Sequence, residues 1–195
     1  MSAKGSYTTA EPLDWDEAIS LMNRLYKDGN YRIALLVGAG IFLGLRISDL
    51  LRLKRSDLEQ ETLIIFEKKT GKRRIIKVNE TFRRTVVQPC YEKLRIRKKD
   101  ELAFLSKIGK PYTPDRLNVM FKSIKVKYRL SIKRFSTHSL RKTFAKRVYT
   151  MAGVHSEDAL VRLSEMLGHS STEITRRYIG LTQQVMMDTY DMLAY

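Results

Sequence analysis

Residues 33–45 read Ile-Ala-Leu-Leu-Val-Gly-Ala-Gly-Ile-Phe-Leu-Gly-Leu, thirteen positions with no polar side chain. A helix that spans a bilayer needs about 20 apolar residues, so this run is too short to cross one. A helix that is apolar on every face is a buried helix. The run therefore predicts a central helix enclosed in a water-soluble core, ending near Gly44.

The flanking segments supply the enclosure. Pro12 closes a polar lead-in, residues 1–12. Asp14, with Glu17 three positions on, fits a boxed helix start, and a helix follows from Trp15 to about Lys27. Trp15 is expected in the core and not as a base-stacking platform. Asp28-Gly29-Asn30 stops that helix. After the buried helix a short amphipathic one is expected over about 46–54. Thr62-Leu63-Ile64-Ile65-Phe66 and Ile75-Ile76-Lys77-Val78 flank a polar turn with Gly71, which predicts a β-hairpin. Asn79 caps a helix toward Lys98 that Pro89 must kink. Thr113-Pro114 opens a helix to about Tyr128.

From His138, Leu140, Phe144, Val148 and Met151 share one helical face, and Gly153 ends the helix. Ser156 is expected to cap the next, lined by Leu160, Leu163 and Leu167 and stopped by Gly168. Ser170 and Ser171 cap a short helix holding Tyr178. Beyond Gly180 a last helix, about 182–195, carries an apolar face. The fold class is mainly α with a small antiparallel β-sheet, that is α+β.

Composition narrows the partners. The chain has 195 residues, with 37 Lys and Arg against 21 Asp and Glu, a net charge of +16. Charge of that size on a compact domain repels itself and calls for a polyanion. Nucleic acid is the commonest; a membrane surface or another acidic partner is the alternative. The single Cys90 excludes an internal disulfide and a Cys-x-x-Cys zinc signature, which suits a reduced intracellular compartment. His138, His155 and His169 lie far apart in the chain, so no metal site is expected. Met1 to Thr9 is polar and lacks the apolar stretch of a secretory signal. The expectation is a cytoplasmic, DNA-associated protein without membrane attachment.

Four short stretches carry chemistry. In Gly44-Leu45-Arg46-Ile47-Ser48-Asp49-Leu50, an arginine leaves a buried helix and Asp49 stands where it can orient the guanidinium. In Thr137-His138-Ser139-Leu140-Arg141-Lys142-Thr143, a His and an Arg converge at a helix N-terminus, a good place for a phosphate. The third stretch is Leu167-Gly168-His169-Ser170-Ser171, with Arg176-Arg177-Tyr178-Ile179 following. The fourth is the turn Lys68-Lys69-Thr70-Gly71-Lys72. Each alone suits an ordinary structural role.

In this order, an arginine, a hairpin lysine, His-x-x-Arg, Leu-Gly-His and a tyrosine nine residues later, the chain resembles the tyrosine recombinase (phage integrase) family. The resemblance covers about residues 13–195, as a catalytic domain. It implies that Arg46 and Arg141 clamp a scissile phosphate, with His138 and His169 beside them, Lys69 as catalytic lysine and Tyr178 as nucleophile. Asp49 matches the acidic residue that supports the first arginine. The turn offers Lys68, Lys69 and Lys72, of which Lys69, directly before Thr-Gly, fits best. His155 has no role in the family pattern.

The residue types suit that chemistry. Guanidinium and imidazole groups neutralise the non-bridging oxygens and the charge that builds in the transition state. A tyrosine needs its proton removed, for which His138 is placed as a base, and a 5′ oxygen leaves only when protonated, which a turn lysine can do. The expected activity is site-specific recombination of the integrase or invertase type, through a covalent 3′-phosphotyrosyl intermediate, without metal, ATP or other cofactor. A type IB topoisomerase-like strand transferase and a non-catalytic basic DNA-binding module are the alternatives. Double-stranded DNA is the expected partner, bound by a homotetramer built from solution monomers, with DNA-bending accessory proteins possible. Lys72, Arg73, Arg74, Lys142, Arg176 and Arg177 are expected on DNA, though the last two also suit plain surface. The helix at 182–195 is expected to dock in trans or in cis. A separate N-terminal core-binding domain is expected to be absent, as in an excised catalytic domain or a compact invertase.

Overall fold

The computed structural model describes residues 10–95 and 98–181, except for the Val154 side chain. The expected lead-in up to Thr9 and the helix over 182–195 lie outside the described residues. The chain divides into two compact units. Among the described residues, one holds 10–144 and the other 145–181.

The larger unit is built around the apolar run. It forms α2 (Tyr31–Leu43), ended by Gly44 at φ +60°. Ile33, Leu35, Leu36, Val37, Ala39 and Ile41 are all fully enclosed. Helix α1 (Trp15–Lys27) packs on α2 through Ala18, Leu21, Met22 and Leu25. Trp15 is part of that packing, meeting Phe42 edge-on at 5.4 Å between ring centres. Asp14 caps α1, accepting from the Asp16 N–H at 2.9 Å. Glu17 does not complete the expected box: its carboxylate accepts from the Ser131 N–H at 2.8 Å and hydroxyl at 2.7 Å. A partner 114 residues away thus replaces the local one.

The amphipathic helix expected over 46–54 is only one turn, α3 (Ile47–Leu50). Leu50, Leu51 and Leu53 are nonetheless all buried, so the apolar pattern marked burial and not helix length. The hairpin pairs β1 (Thr62–Phe66) antiparallel with β2 (Arg73–Lys77), Ile64 opposite Ile75. Asn79 caps the next helical stretch, accepting from the Phe82 N–H at 3.1 Å. That stretch runs α4 (Glu80–Phe82), a π-helical turn at Arg83–Val87, then α5 (Gln88–Leu94). Pro89 brings no N–H to the ladder, and a π-turn is one way a helix absorbs such a gap. The stretch stops at Arg95, in the left-handed region, short of the expected Lys98. Helix α6 (Pro114–Tyr128) has the expected bounds, with Thr113 accepting from the Arg116 N–H.

Helix α7 (Thr137–Ala152) opens in the larger unit and closes in the smaller one. Its expected inner face fades along its length: Leu140 is buried, Phe144 and Val148 half-buried, Met151 69% exposed. In the smaller unit, α8 (Ser156–Leu167) packs on α9 (Thr172–Ile179). His155, not Ser156, occupies the cap position of α8, and no side chain caps it. Leu160, Leu163 and Leu167 are fully buried, and Gly168 ends the helix at φ +60°. Ser171 caps α9, accepting from the Ile174 N–H.

Candidate active site

Two close approaches between α2 and α7 place the arginines. A methyl group on Gly40 would stand 2.6 Å from Leu140 Cδ1, and one on Gly44 2.3 Å from Phe144 Cδ1. Glycine alone lets the two helices meet this tightly. Between Leu140 and Phe144 on α7 lies Arg141. It is 4% exposed, and its guanidinium donates through Nη1 to the Gly44 carbonyl at 2.8 Å. Arg46 is two residues further along that same turn, at the start of α3. The two arginines predicted to clamp one phosphate are therefore fastened to a single turn.

Helix α7 is anchored at its start. The Thr137 N–H donates to Asn118 Oδ1 at 3.0 Å, and the buried Ser139 hydroxyl accepts from the Ser136 N–H. Thr143 Oγ1 accepts from the Leu13 N–H and donates to the Ser139 carbonyl, both at 2.9 Å. These roles explain the small hydroxyl residues Ser139 and Thr143 that flank Leu140, Arg141 and Lys142.

His138 reaches solvent beside them. Close packing, then the charges of Arg141, Lys142, Arg46 and Lys69, hold its pKa below the ordinary 6.5. The ring is therefore neutral at pH 7 and able to accept a proton.

The hairpin brings in Lys69, exposed at its tip. It also brings a residue that the motifs did not single out. Glu67 is buried and binds Arg46 Nη1 through Oε2 at 2.7 Å. Asp49, the expected supporter of Arg46, has a different contact: Oδ1 accepts from the Lys68 backbone N–H at 2.8 Å. The run Leu63 to Phe66 is apolar on both faces of its strand, which conceals the phase that turns Glu67 inward.

The smaller unit holds the tyrosine group. The chain turns at Gly168, and the His169 N–H donates to the Ser164 carbonyl at 2.9 Å. His169 Nδ1 lies 2.9 Å from the hydroxyl of the fully buried Thr175. The His169 and Tyr178 rings meet edge to face, 5.1 Å apart, and the Tyr178 hydroxyl is buried. Thr175, like Glu67, contacts an expected site residue but lies outside the motifs.

The expected DNA-contacting cations divide. Lys72 and Arg73 are exposed. Arg74 is turned to Glu67 at 3.2 Å with its side chain 12% exposed. Lys142 is 8% exposed. Arg176 pairs with Glu157, and Arg177 with Glu173 at 2.8 Å.

The model of the Phage integrase family matches residues 11–184. The chain belongs to the phage integrase family. It is accordingly a tyrosine-type site-specific DNA recombinase. It is 30% identical to "Probable integrase/recombinase YoeC" of Bacillus subtilis over 182 residues, covering 92% of this chain and 94% of that protein. It is 25% identical to tyrosine recombinase XerH of Campylobacter jejuni over 164 residues, 82% of this chain but 44% of XerH. Among solved structures, the XerA recombinase matches with a TM-score of 0.71 at 24% identity, over 96% of this chain and 66% of XerA. The XerH recombinase bound to a palindromic difH substrate, a post-cleavage complex, matches with a TM-score of 0.69 at 22% identity, over 94% and 53%. These likenesses establish the fold, which among the described residues is mainly helical with one two-stranded antiparallel sheet. Among the described residues no helix is long and apolar enough to cross a membrane.

Proposed function

We propose that this recombinase cuts and rejoins double-stranded DNA through Tyr178, as a 3′-phosphotyrosyl intermediate, without metal or nucleotide. The observation that carries the reading is the joint anchoring of Arg46 and Arg141 on the Gly44 turn, with His138 and Lys69 in the same electrostatic neighbourhood. Tyr178 Oη attacks phosphorus and its proton passes to a neutral base, His138. Arg46, Arg141 and His169 stabilise the charge on the non-bridging oxygens. The bond to the 5′ oxygen breaks, and the ammonium of Lys69 protonates that oxygen as it leaves. Fixed cations here do what a metal ion would do elsewhere, and the phosphotyrosine conserves the bond for rejoining. Exposed cations such as Lys72 and Arg73 position the duplex without reading it. Assembly as a tetramer on DNA from monomers in solution belongs to the same reading, as does a cytoplasmic, DNA-associated location.

Suicide duplexes with a randomised central segment provide the test. Wild-type protein is expected to form an SDS-resistant adduct on a subset of them, undiminished by EDTA, and the recovered sequences define the substrate. Tyr178→Phe is expected to form none while still binding. An adduct formed by that variant would overturn the nucleophile assignment. Arg46→Ala and Arg141→Ala are each expected to slow adduct formation by about 100-fold or more, in the range seen when a transition-state donor is removed.

A further inference from the structure

A lysine at the tip of a hairpin is ordinarily mobile, yet a general acid must stand within hydrogen-bond reach of its target. The base of this hairpin is fastened in an uncommon way. The Glu67 side chain is 1% exposed and its carboxylate makes three polar contacts: it accepts from Thr70 Oγ1 at 2.6 Å and Arg74 Nη1 at 3.2 Å, and it pairs with the charge of Arg46, Nη1 at 2.7 Å. Its backbone closes the turn, with the Glu67 N–H on the Lys72 carbonyl at 3.0 Å and the Gly71 N–H on the Glu67 carbonyl at 2.8 Å. On the other side of Lys69, the Lys68 N–H is held by the buried Asp49, three residues after Arg46. Lys69 thus lies between two tethered neighbours, and both tethers lead to the arginine turn.

A buried carboxylate next to Arg46 also opposes the binding of an anion there. Electrostatics alone would disfavour it at a phosphate site, so it points to a mechanical role. We infer that Glu67 is a positioning residue that latches the Lys69 turn to Arg46 and so holds the proton donor in place beside the phosphate clamp. The inference rests on the reading of Lys69 as the acid that protonates the 5′ oxygen.

Sulfur in place of the bridging 5′ oxygen separates the possibilities. A thiolate leaves without protonation, because thiols ionise near pH 8.5, so a fault in the acid disappears on that substrate. A fault in the clamp persists. The test uses the full chain, a site recovered from the randomised duplexes and its 5′-bridging phosphorothiolate version. Glu67→Gln keeps the shape of the side chain and removes its charge. Thr70→Val removes the hydroxyl that binds Glu67, at an exposed position. Both are expected to form adduct on ordinary DNA at least about tenfold more slowly than wild type, a partial loss of the roughly 100- to 10,000-fold that a general acid supplies. Both should return to within about threefold on the sulfur substrate, as Lys69→Ala should, whereas Arg46→Ala stays slow on both. Wild-type rates for Glu67→Gln and Thr70→Val on ordinary DNA would overturn the latch. So would defects that sulfur leaves in place while it relieves Lys69→Ala. If sulfur fails to relieve Lys69→Ala itself, Lys69 is not the acid, and the latch falls with that assignment.

Discussion

Burial alone would raise the pKa of Glu67, but the Thr70 hydroxyl and the guanidinium groups of Arg46 and Arg74 pull it down to about 2. A carboxylate with a depressed folded pKa contributes stability above its unfolded pKa, and that stability is lost as pH falls through the folded value. From an ordinary 4.5, the difference is on the order of 3 kcal/mol. Urea titrations of wild type and Glu67→Gln should show a gap that is constant above about pH 5 and closes as pH falls toward 2. A gap independent of pH would mean that Glu67 is not ionised in the fold. His138 makes the opposite use of its surroundings. Its pKa is lowered by packing and by Arg141, Lys142, Arg46 and Lys69, so the neutral base persists below pH 6.5. Single-turnover cleavage should therefore rise with pH through a midpoint below 6.5 and then level off on that limb. Replacing Lys69 or Lys142 by Met should move that midpoint upward, because a repelling charge is gone.

At the scale of elements, the contact between α2 and α7 decides whether a site exists at all. Gly44→Ala places a methyl against the Phe144 ring at a residue with φ +60°, combining overpacking with left-handed strain. A loss of about 3 kcal/mol is expected in denaturant unfolding. Gly40→Ala keeps an ordinary helical conformation and its nearest contacts are with the Leu140 side chain, so it should cost less, about 1–2 kcal/mol. Pairing Gly40→Ala with Leu140→Ala should cost less than the sum of the two single changes, because the methyl occupies space that the truncated leucine vacates. If both glycine variants are as stable as wild type, the close approach does not set the spacing of the helices. The same contact explains why Arg141 follows Leu140 directly: the core residue brings its neighbour to the Gly44 carbonyl.

For the whole molecule, the excess of 16 positive charges does not act as one surface. Arg46 and Arg74 are engaged by Glu67, Arg176 by Glu157, Arg177 by Glu173, and Lys142 is buried. Binding to duplex DNA should weaken linearly on a log–log plot against salt, with a slope of about −0.9 per neutralised phosphate. Lys72→Ala and Arg73→Ala, at exposed positions, should each reduce that slope by about one. Lys142→Met should leave it unchanged. If Lys142→Met lowers the slope as much as Lys72→Ala does, burial has not removed Lys142 from the DNA contacts.

Elements bounded by local signals could be read directly from the chain. The apolar run of α2, the Thr113-Pro114 start of α6, the Gly71 turn and the glycine stops at 44, 153 and 168 depend on backbone sterics and on periodicity within a few residues. The family motifs were legible for a related reason: Arg46, the His138–Arg141 pair and His169 with Tyr178 each lie within one short segment. What joined those segments was decided only in three dimensions. Glu17 left its own helix for Ser131, Glu67 took Arg46, Asp49 took the Lys68 backbone, and Lys142 was buried. Each outcome depends on which buried polar group finds a partner when distant segments pack. A carboxylate out of water must be satisfied by whatever donor the fold brings to it, and no spacing along the chain encodes that choice.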